Sequence, residues 1–265
     1  MRRKIRRRLI ALIAICTLGI AVVVDALWIE PRWIEVSHHR VPCRLNKTLK
    51  IVHLTDLHTY GAGPVELDVL RLVAAERPDL IVITGDLISS SDAYEGCRQV
   101  LRGLHAPLGV WVVRGNHEIW APVEDEKGYY KSEGATILVN ESKEVAEGVW
   151  LEGFDDAFAG SPDLDRTIEK VPREAVRVAL FHSPDFFDRI AGRCEVALSG
   201  HTHGGQVRLP LLRPFWLPPS CGRYVDGWYE VKGSRMYVSR GIGTSILPVR
   251  FLCRPEIAVI VLEPP

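Results

Sequence analysis

The sequence predicts an α/β protein, and three observations carry that prediction. Leu80 to Thr84 (LIVIT) is an unbroken apolar run, as in a strand buried on both faces. It lies between two stretches of helical period, Pro64 to Glu76 and Asp92 to Leu104, and strands alternating with helices point to an α/β core. Two later strand-like stretches, Gly227 to Ser239 and Glu256 to Leu262, have little helix between them, so either the sheet is mixed or there are two sheets.

The elements follow in chain order. Arg2, Arg3, Lys4, Arg6, Arg7 and Arg8 open the chain, and Leu9 to Val24 (LIALIAICTLGIAVVV) follows without a charge. Asp25 interrupts the run, and Ala26 to Ile29 resume it. A bilayer takes roughly 20 predominantly apolar residues, so the segment spans with Asp25 near the headgroups. Trp28 and Trp33 suit the interface just beyond. Residues 1–29 are therefore expected to form a retained membrane anchor. Its basic start stays cytoplasmic, which puts the body on the far side. A signal peptide cleaved near Val24-Asp25-Ala26 and an interfacial segment with a cytoplasmic body stay open.

Residues 30–48 read as a linker and residues 49–265 as the body. Lys50 to Thr55 (KIVHLT) reads as the first strand. The helix over Pro64 to Glu76 carries proline in its first turn and Leu67, Leu70, Val73 and Ala74 on one face. Gly109 to Val113, Val176 to Phe181 and Glu195 to Leu198 complete the buried strands.

The formal charge of zero is uneven. Six of the 33 basic residues lie within the first eight positions, which leaves 27 against 33 acidic ones, a body of about −6. An acidic body argues against a nucleic-acid partner, which needs clustered positive charge. The six cysteines form no CxxC pair, so no disulfide framework is expected.

Ligand-type residues cluster directly after the strands. Asp56 and His58 follow KIVHLT, Asp86 follows LIVIT, Asn116 and His117 follow GVWVV, His182 follows VALF, and His201 and His203 follow VALS. The carboxyl ends of neighbouring strands share one edge, where ligand sites of open α/β sheets lie. Gly85, Gly115, Gly200, Gly204 and Gly205 flank these residues and permit tight turns.

The blocks TDLH (55–58), GDL (85–87), GNHE (115–118), FHSP (181–184) and GHTHGGQ (200–206) resemble the signature of the calcineurin-like metallophosphoesterase superfamily. They stand in family order over about residues 50–206. The stretch SRGIGTSILPVRFLCRPEI (239–257) is similar to the membrane-associated bacterial branch. That branch includes phosphodiesterases and relatives acting on UDP-2,3-diacylglucosamine in lipid A biosynthesis.

The resemblance implies an α/β sandwich of two mixed β-sheets flanked by helices. It also implies a dinuclear centre: Asp56, His58 and His203 on one metal, Asn116, His182 and His201 on the other, and Asp86 bridging. His117 would lie over the scissile phosphate and stabilise charge or protonate the leaving oxygen. The donors suit Mn, Fe, Zn or Co. Two cations roughly 3.5–4 Å apart clamp an in-line displacement, and their shared water, as hydroxide, is the expected nucleophile.

The expected reaction is hydrolysis of a phosphodiester or pyrophosphate bond, with a membrane lipid or lipid-linked phosphate as substrate and UDP-2,3-diacylglucosamine as the leading candidate. The expected location is the inner or plasma membrane of a bacterium. Phosphoprotein phosphatase and non-catalytic metal-binding scaffold are the alternatives; the intact ligand set and His117 speak against a scaffold. His38, His39, His53 and His105 read as structural. Leu209 to Pro219 (LPLLRPFWLPP) is either a lipid-contact surface or ordinary core, with equal weight. Arg208, Arg213 and Arg240 are candidates for pairing with substrate phosphate.

Overall fold

The computed structural model describes residues 2–265; Met1, with which the expected anchor opens, lies outside the described residues. A long helix, α1 (Arg2–Val24), leads through a π-turn (Asp25–Ile29) into the body. The elements then run β1 (Glu35–Pro42), β2 (Leu49–Leu54), α2 (Pro64–Glu76), β3 (Leu80–Thr84), α3 (Tyr94–Gly103), β4 (Val110–Val113) and α4 (Asn116–Trp120). They continue with α5 (Glu126–Ser132), β5 (Ala135–Ile137), β6 (Glu141–Ala146), β7 (Val149–Gly153), α6 (Leu164–Ile168) and β8 (Val176–Leu180). The last are α7 (Phe187–Ile190), β9 (Val196–Ser199), β10 (Gly227–Val231), β11 (Ser234–Val238) and β12 (Glu256–Glu263).

The body is the expected sandwich of two mixed sheets. One has the order β1-β12-β2-β3-β4-β5 and the other β10-β11-β9-β8-β7-β6. β2, β3, β4 and β5 are mutually parallel, as are β11, β9, β8 and β7. Alternation along each strand divides the side chains between layers. On β3, Leu80 and Val82 face the core between the sheets, whereas Ile81 and Ile83 face the layer of α2 and α3. All four are fully buried, and each contributes about 1.5–3 kcal/mol of transfer free energy.

Three elements depart from the sequence reading. The linker expected over 30–48 contains β1, paired in parallel with β12 along its whole length. An edge strand is bonded on one side only, so it tolerates the polar run Ser37 to Arg40 that hid it. On α2, Val69 and Val73 are buried, Val65 packs beside them, and Leu67 is 58 % exposed. The buried stripe is therefore 65-69-73, one helical turn apart each time; of the expected face Val73 lies in it and Leu70 packs beside it, whereas Leu67 and Ala74 face outward. β6 also escaped notice, because Glu141, Lys143 and Glu144 make it a charged edge.

α1 is long and apolar enough to cross a membrane and packs on almost nothing in the body.

Candidate metal centre

The ligand-type residues meet because of strand order. β2, β3 and β4 are parallel neighbours in one sheet, and β8 and β9 are parallel neighbours in the other. Their five carboxyl ends come to one edge of the sandwich, and hydrogen bonds lace them together. Asp56 N–H donates to Gly85 O, His58 N–H to Asp86 O and Gly200 N–H to His182 O. Across the sheets, the His201 N–H donates to the Asp56 carboxylate at 3.0 Å.

The turns are tight enough to strain the ligands themselves. Asp56, His58, Asp86, His201 and His203 all adopt left-handed backbone, with φ of 51°, 47°, 51°, 71° and 51°. Such conformations cost of order 1–3 kcal/mol each in non-glycine residues and concentrate at functional sites. Two glycines make the turns possible. Gly85 has φ +87°, and a Cβ there would strike the Gly115 backbone. A Cβ on Gly200 would strike Thr55 Oγ1 and the Asp56 carboxylate.

Side chains from the five ends form two groups whose ligand atoms lie within 4.8 Å of one another: Asp56, His58 and His203, and Asp86, His182 and His201. A third, His58, Asp86 and His117, links them. His203 Nε2 is 3.3 Å from Asp56 Oδ1, and His58 Nε2 and His182 Nε2 are 3.6 and 3.3 Å from Asp86 Oδ2.

The donors fit divalent cations on four counts. His182 Nδ1–H donates to Thr84 O at 2.7 Å, leaving Nε2 bare toward the cluster, and His201 Nε2–H donates to Pro219 O at 2.7 Å, leaving Nδ1 bare. The two bare nitrogens stand 3.0 Å apart, as do His58 Nε2 and His203 Nε2 at 3.2 Å, separations that suit a cation or proton between them. Burial lowers the His58 and His201 pKa values to about 4 and pushes His203 well down, which keeps these rings in the neutral, ligating form. Asn116 Oδ1 is buried without a hydrogen-bond partner, at the position assigned to a metal-ligating amide.

The carboxylates tell the same story. Burial pushes the Asp56 carboxyl up to about 6, so the cavity resists its charge until a cation compensates. His182 is buried too, which opposes protonation, yet Asp86 at 3.3 Å and Asp56 at 4.0 Å outweigh this and raise its pKa well above the usual value. A proton there occupies the place a metal would take.

Three buried residues support the centre, and none was singled out from the sequence. Glu118 accepts N–H bonds from Gly115, Asp86 and Leu87 at 2.8–2.9 Å, tying the loops after β3 and β4 together. An acid three residues after a glycine at a helix start was the available signal. Asp156 receives Ser183 Oγ–H at 2.5 Å and steadies the turn after His182. Arg250 is fully buried and donates to the carbonyls of Arg240, Gly241, Gly243 and Cys253. That loop in turn lies on the TDLH turn, where Gly243 N–H donates to Asp56 O at 2.7 Å.

A cavity of about 360 Å³ opens beside the ligands. Asp86, Asn116, His117, His201 and His203 form its floor, and Trp120, Phe158, Trp216 and Ile246 its rim. His117 is half-buried, with Nδ1–H donating to Ser89 O at 3.0 Å and its ring edge-on to His58. Larger clefts exist, such as one of about 570 Å³ near Arg44 and Glu147, but they hold none of the described metal-capable groups.

The three arginine candidates do not line this cavity. Arg208 is paired with Asp226 at 2.9 Å, and Arg240 with Glu35 and Glu256 at 3.1 and 3.3 Å, so their guanidinium groups are already committed. Arg213 projects into solvent. Among the histidines read as structural, His53 is buried against Thr84 Oγ1 at 2.8 Å and His38 meets Glu76 at 3.1 Å.

A buried cage with two ligand groups at the edge of an α/β sandwich defines a metal-dependent phosphoesterase. The match to the calcineurin-like phosphoesterase family spans residues 49–205, and the chain belongs to that family, whose centres hold two divalent metals. It is 34 % identical over 260 residues to the uncharacterized metallophosphoesterase YkuE of Bacillus subtilis, covering 90 % of this chain and 88 % of that one. It is 32 % identical to the phosphodiesterase YaeI of Escherichia coli, covering 88 % and 90 %. A transmembrane protein with metallophosphoesterase domain from Bos taurus is 30 % identical, covering 87 % of this chain and 56 % of the relative.

Proposed function

We propose that this chain hydrolyses a phosphodiester or pyrophosphate bond of a lipid-linked substrate at a membrane. In this reading Asp56, His58 and His203 hold one divalent cation, Asn116, His182 and His201 hold the other, and Asp86 reaches both. The observation that carries it is the pair of ligand groups, whose atoms lie within 4.8 Å of one another in each and which His58, Asp86 and His117 link. When bound, two cations offset negative charge on the phosphoryl and leaving oxygens and lower the pKa of a water held there toward about 7.

The protein's own groups do the rest. Asp86 and Asp56 hold the positive charge in place, and the neutral rings add donors without cancelling it. His117, anchored through Nδ1 to Ser89 O, keeps Nε2 free to give a proton to the leaving oxygen. The rim of Trp120, Phe158, Trp216 and Ile246 excludes water and offers an apolar surface for an acyl or prenyl chain.

Residues 1–29 serve as the anchor, a reading supported by the apolar helix and by the bovine relative's name. The basic N-terminus favours an extracytoplasmic body in a bacterial plasma membrane, where the substrate is an outer-face phosphodiester or pyrophosphate. UDP-2,3-diacylglucosamine, a lipid A precursor, is the specific candidate if the body is cytoplasmic instead.

Full-length protein in detergent with Mn²⁺ and bis-p-nitrophenyl phosphate should release p-nitrophenol, and chelation or Asp86→Ala should abolish release. No turnover with any of Mn²⁺, Fe²⁺, Zn²⁺ or Co²⁺ would overturn the hydrolase reading. A reporter at the C-terminus determines the side, and nucleotide release from lipid extracts tests the specific substrate.

A further inference from the structure

We propose that two apolar loops beside the metal cavity, residues 209–217 and 245–252, rest in the bilayer that α1 enters, so that the cavity opens at the membrane surface. This rests on the anchored reading above and adds how the body sits on its membrane.

The loops expose Leu211, Leu212, Phe215, Ile246, Leu247 and Leu252, each more than half accessible and Leu211 entirely so. Clustered apolar exposure of this kind marks an interaction surface. The loops form one unit. Val207 and Phe251 are bridged, Arg208 N–H donates to Phe251 O, and the Gln206 amide donates to Leu247 O and Val249 O. Leu211, Ile246 and Leu252 also hold left-handed backbone, with φ of 66°, 64° and 54°. Glycine or asparagine would be cheaper at such positions. An exposed aliphatic side chain stands there instead.

The occupant is indicated by continuity. The second loop is fastened to the exit of α1: Arg250 N–H donates to Ala26 O at 3.0 Å, and the buried Glu30 carboxylate accepts Leu252 N–H at 2.8 Å and Cys253 N–H. Exposed Trp28, Ile29 and Trp33 flank that junction, as interfacial aromatics do. Neither loop contains an acidic residue, and exposed Arg213 is available to a lipid phosphate. At the other end, Trp216 and Ile246 pass the apolar surface into the cavity rim. The α1 junction, the loops and the cavity mouth therefore make one continuous surface.

The test uses the full chain, with Cys16→Ala, in vesicles of phosphatidylcholine and phosphatidylglycerol. Nitroxide labels are placed through Leu211→Cys or Leu247→Cys, and through Lys143→Cys on the β6 edge as an aqueous reference. Labels at 211 and 247 should relax faster with lipid-soluble O₂ than with a water-soluble nickel chelate, and the reference should show the reverse. Equal access to nickel at all three positions overturns the proposal. So does exclusion of both reagents at 211 and 247, which means that protein covers the loops. A second readout is Leu211→Asp with Leu247→Asp: turnover of a vesicle-borne phosphodiester, divided by turnover of bis-p-nitrophenyl phosphate, should fall at least tenfold. An unchanged ratio also overturns it. The labelling reads contact without turnover, so an inactive protein with buried labels would remove the hydrolase reading and leave this one standing.

Discussion

The two sheets contribute unequally to the centre. The first sheet, through β2, β3 and β4, brings both carboxylates, the amide, His58 and His117, whereas the second, through β8 and β9, brings only His182, His201 and His203. One half supplies the negative charge that makes two divalent cations affordable in a buried place. In the proposed centre the other supplies neutral donors that complete the coordination. Two such cations against Asp56 and Asp86 leave a net charge of about +2, which favours a phosphate anion at the mouth.

The sharpest way to break this comparison is to neutralise Asp86, the ligand proposed to reach both metals. Asp86→Asn keeps the shape and removes the charge. Turnover of bis-p-nitrophenyl phosphate should fall by on the order of 10³-fold or more, and bound metal should drop below two per chain. Elemental analysis beside the kinetics checks both, and retention of two metals with full activity would contradict the division of labour. His117→Asn should cost about 10²–10⁴-fold in kcat with metal content intact, because a proton donor is lost rather than a ligand. A matching loss of metal would reassign His117 to the coordination sphere.

A second-sheet ligand should behave differently. His201→Gln removes one neutral donor and leaves the charge balance alone. Metal affinity should weaken by about 10²-fold, with activity largely recovered at saturating Mn²⁺, whereas added metal should not rescue Asp86→Asn. A metal titration of the two variants side by side is the measurement. If both recover, or neither does, the sheets do not differ in the way described.

The legible part of this molecule was the part where chemistry and backbone coincide. The runs of β3 and β9 are buried throughout and those of β4 and β8 all but at Trp111 and Arg177, so composition marked them, and the residues after them had to share an edge once the strands were parallel. β1 and β6 were hidden because an edge strand can be polar, and hydrogen bonding on one side leaves no periodic trace. Arg250 was hidden for another reason. An arginine in a loop is ordinarily exposed, and only the folded chain shows its guanidinium enclosed by four backbone carbonyls. Arg208 and Arg240 were unreadable on related ground, since a sequence lists cations without saying which carboxylates will claim them. Glu118 lay in plain view in GNHE, yet its work is done on the loop after β3, about 30 residues away.

The smallest predicted effect concerns the floor beneath both halves. His53 sits on β2 in register with Val82 and Ala258, facing the core between the sheets, and burial pushes its pKa down to about 3. The folded chain thus prefers the neutral ring, whereas the unfolded chain takes a proton near pH 6.5. Stability from this preference is complete above about pH 6.5 and erodes as pH falls toward 3, the sign expected when the unfolded state binds more protons. Between pH 7 and 5 the loss is roughly 2 kcal/mol, or about 4–8 °C in Tm for a chain of this size. His53→Gln keeps a partner for Thr84 and cannot charge, so its Tm should fall less over that interval by about the same amount. Measuring the difference between the two proteins cancels the shared acid sensitivity of the metal ligands. Parallel pH dependence of Tm for wild type and variant would show that His53 takes up its proton as readily in the folded chain as in the unfolded one, and that the floor is wetter than its burial implies.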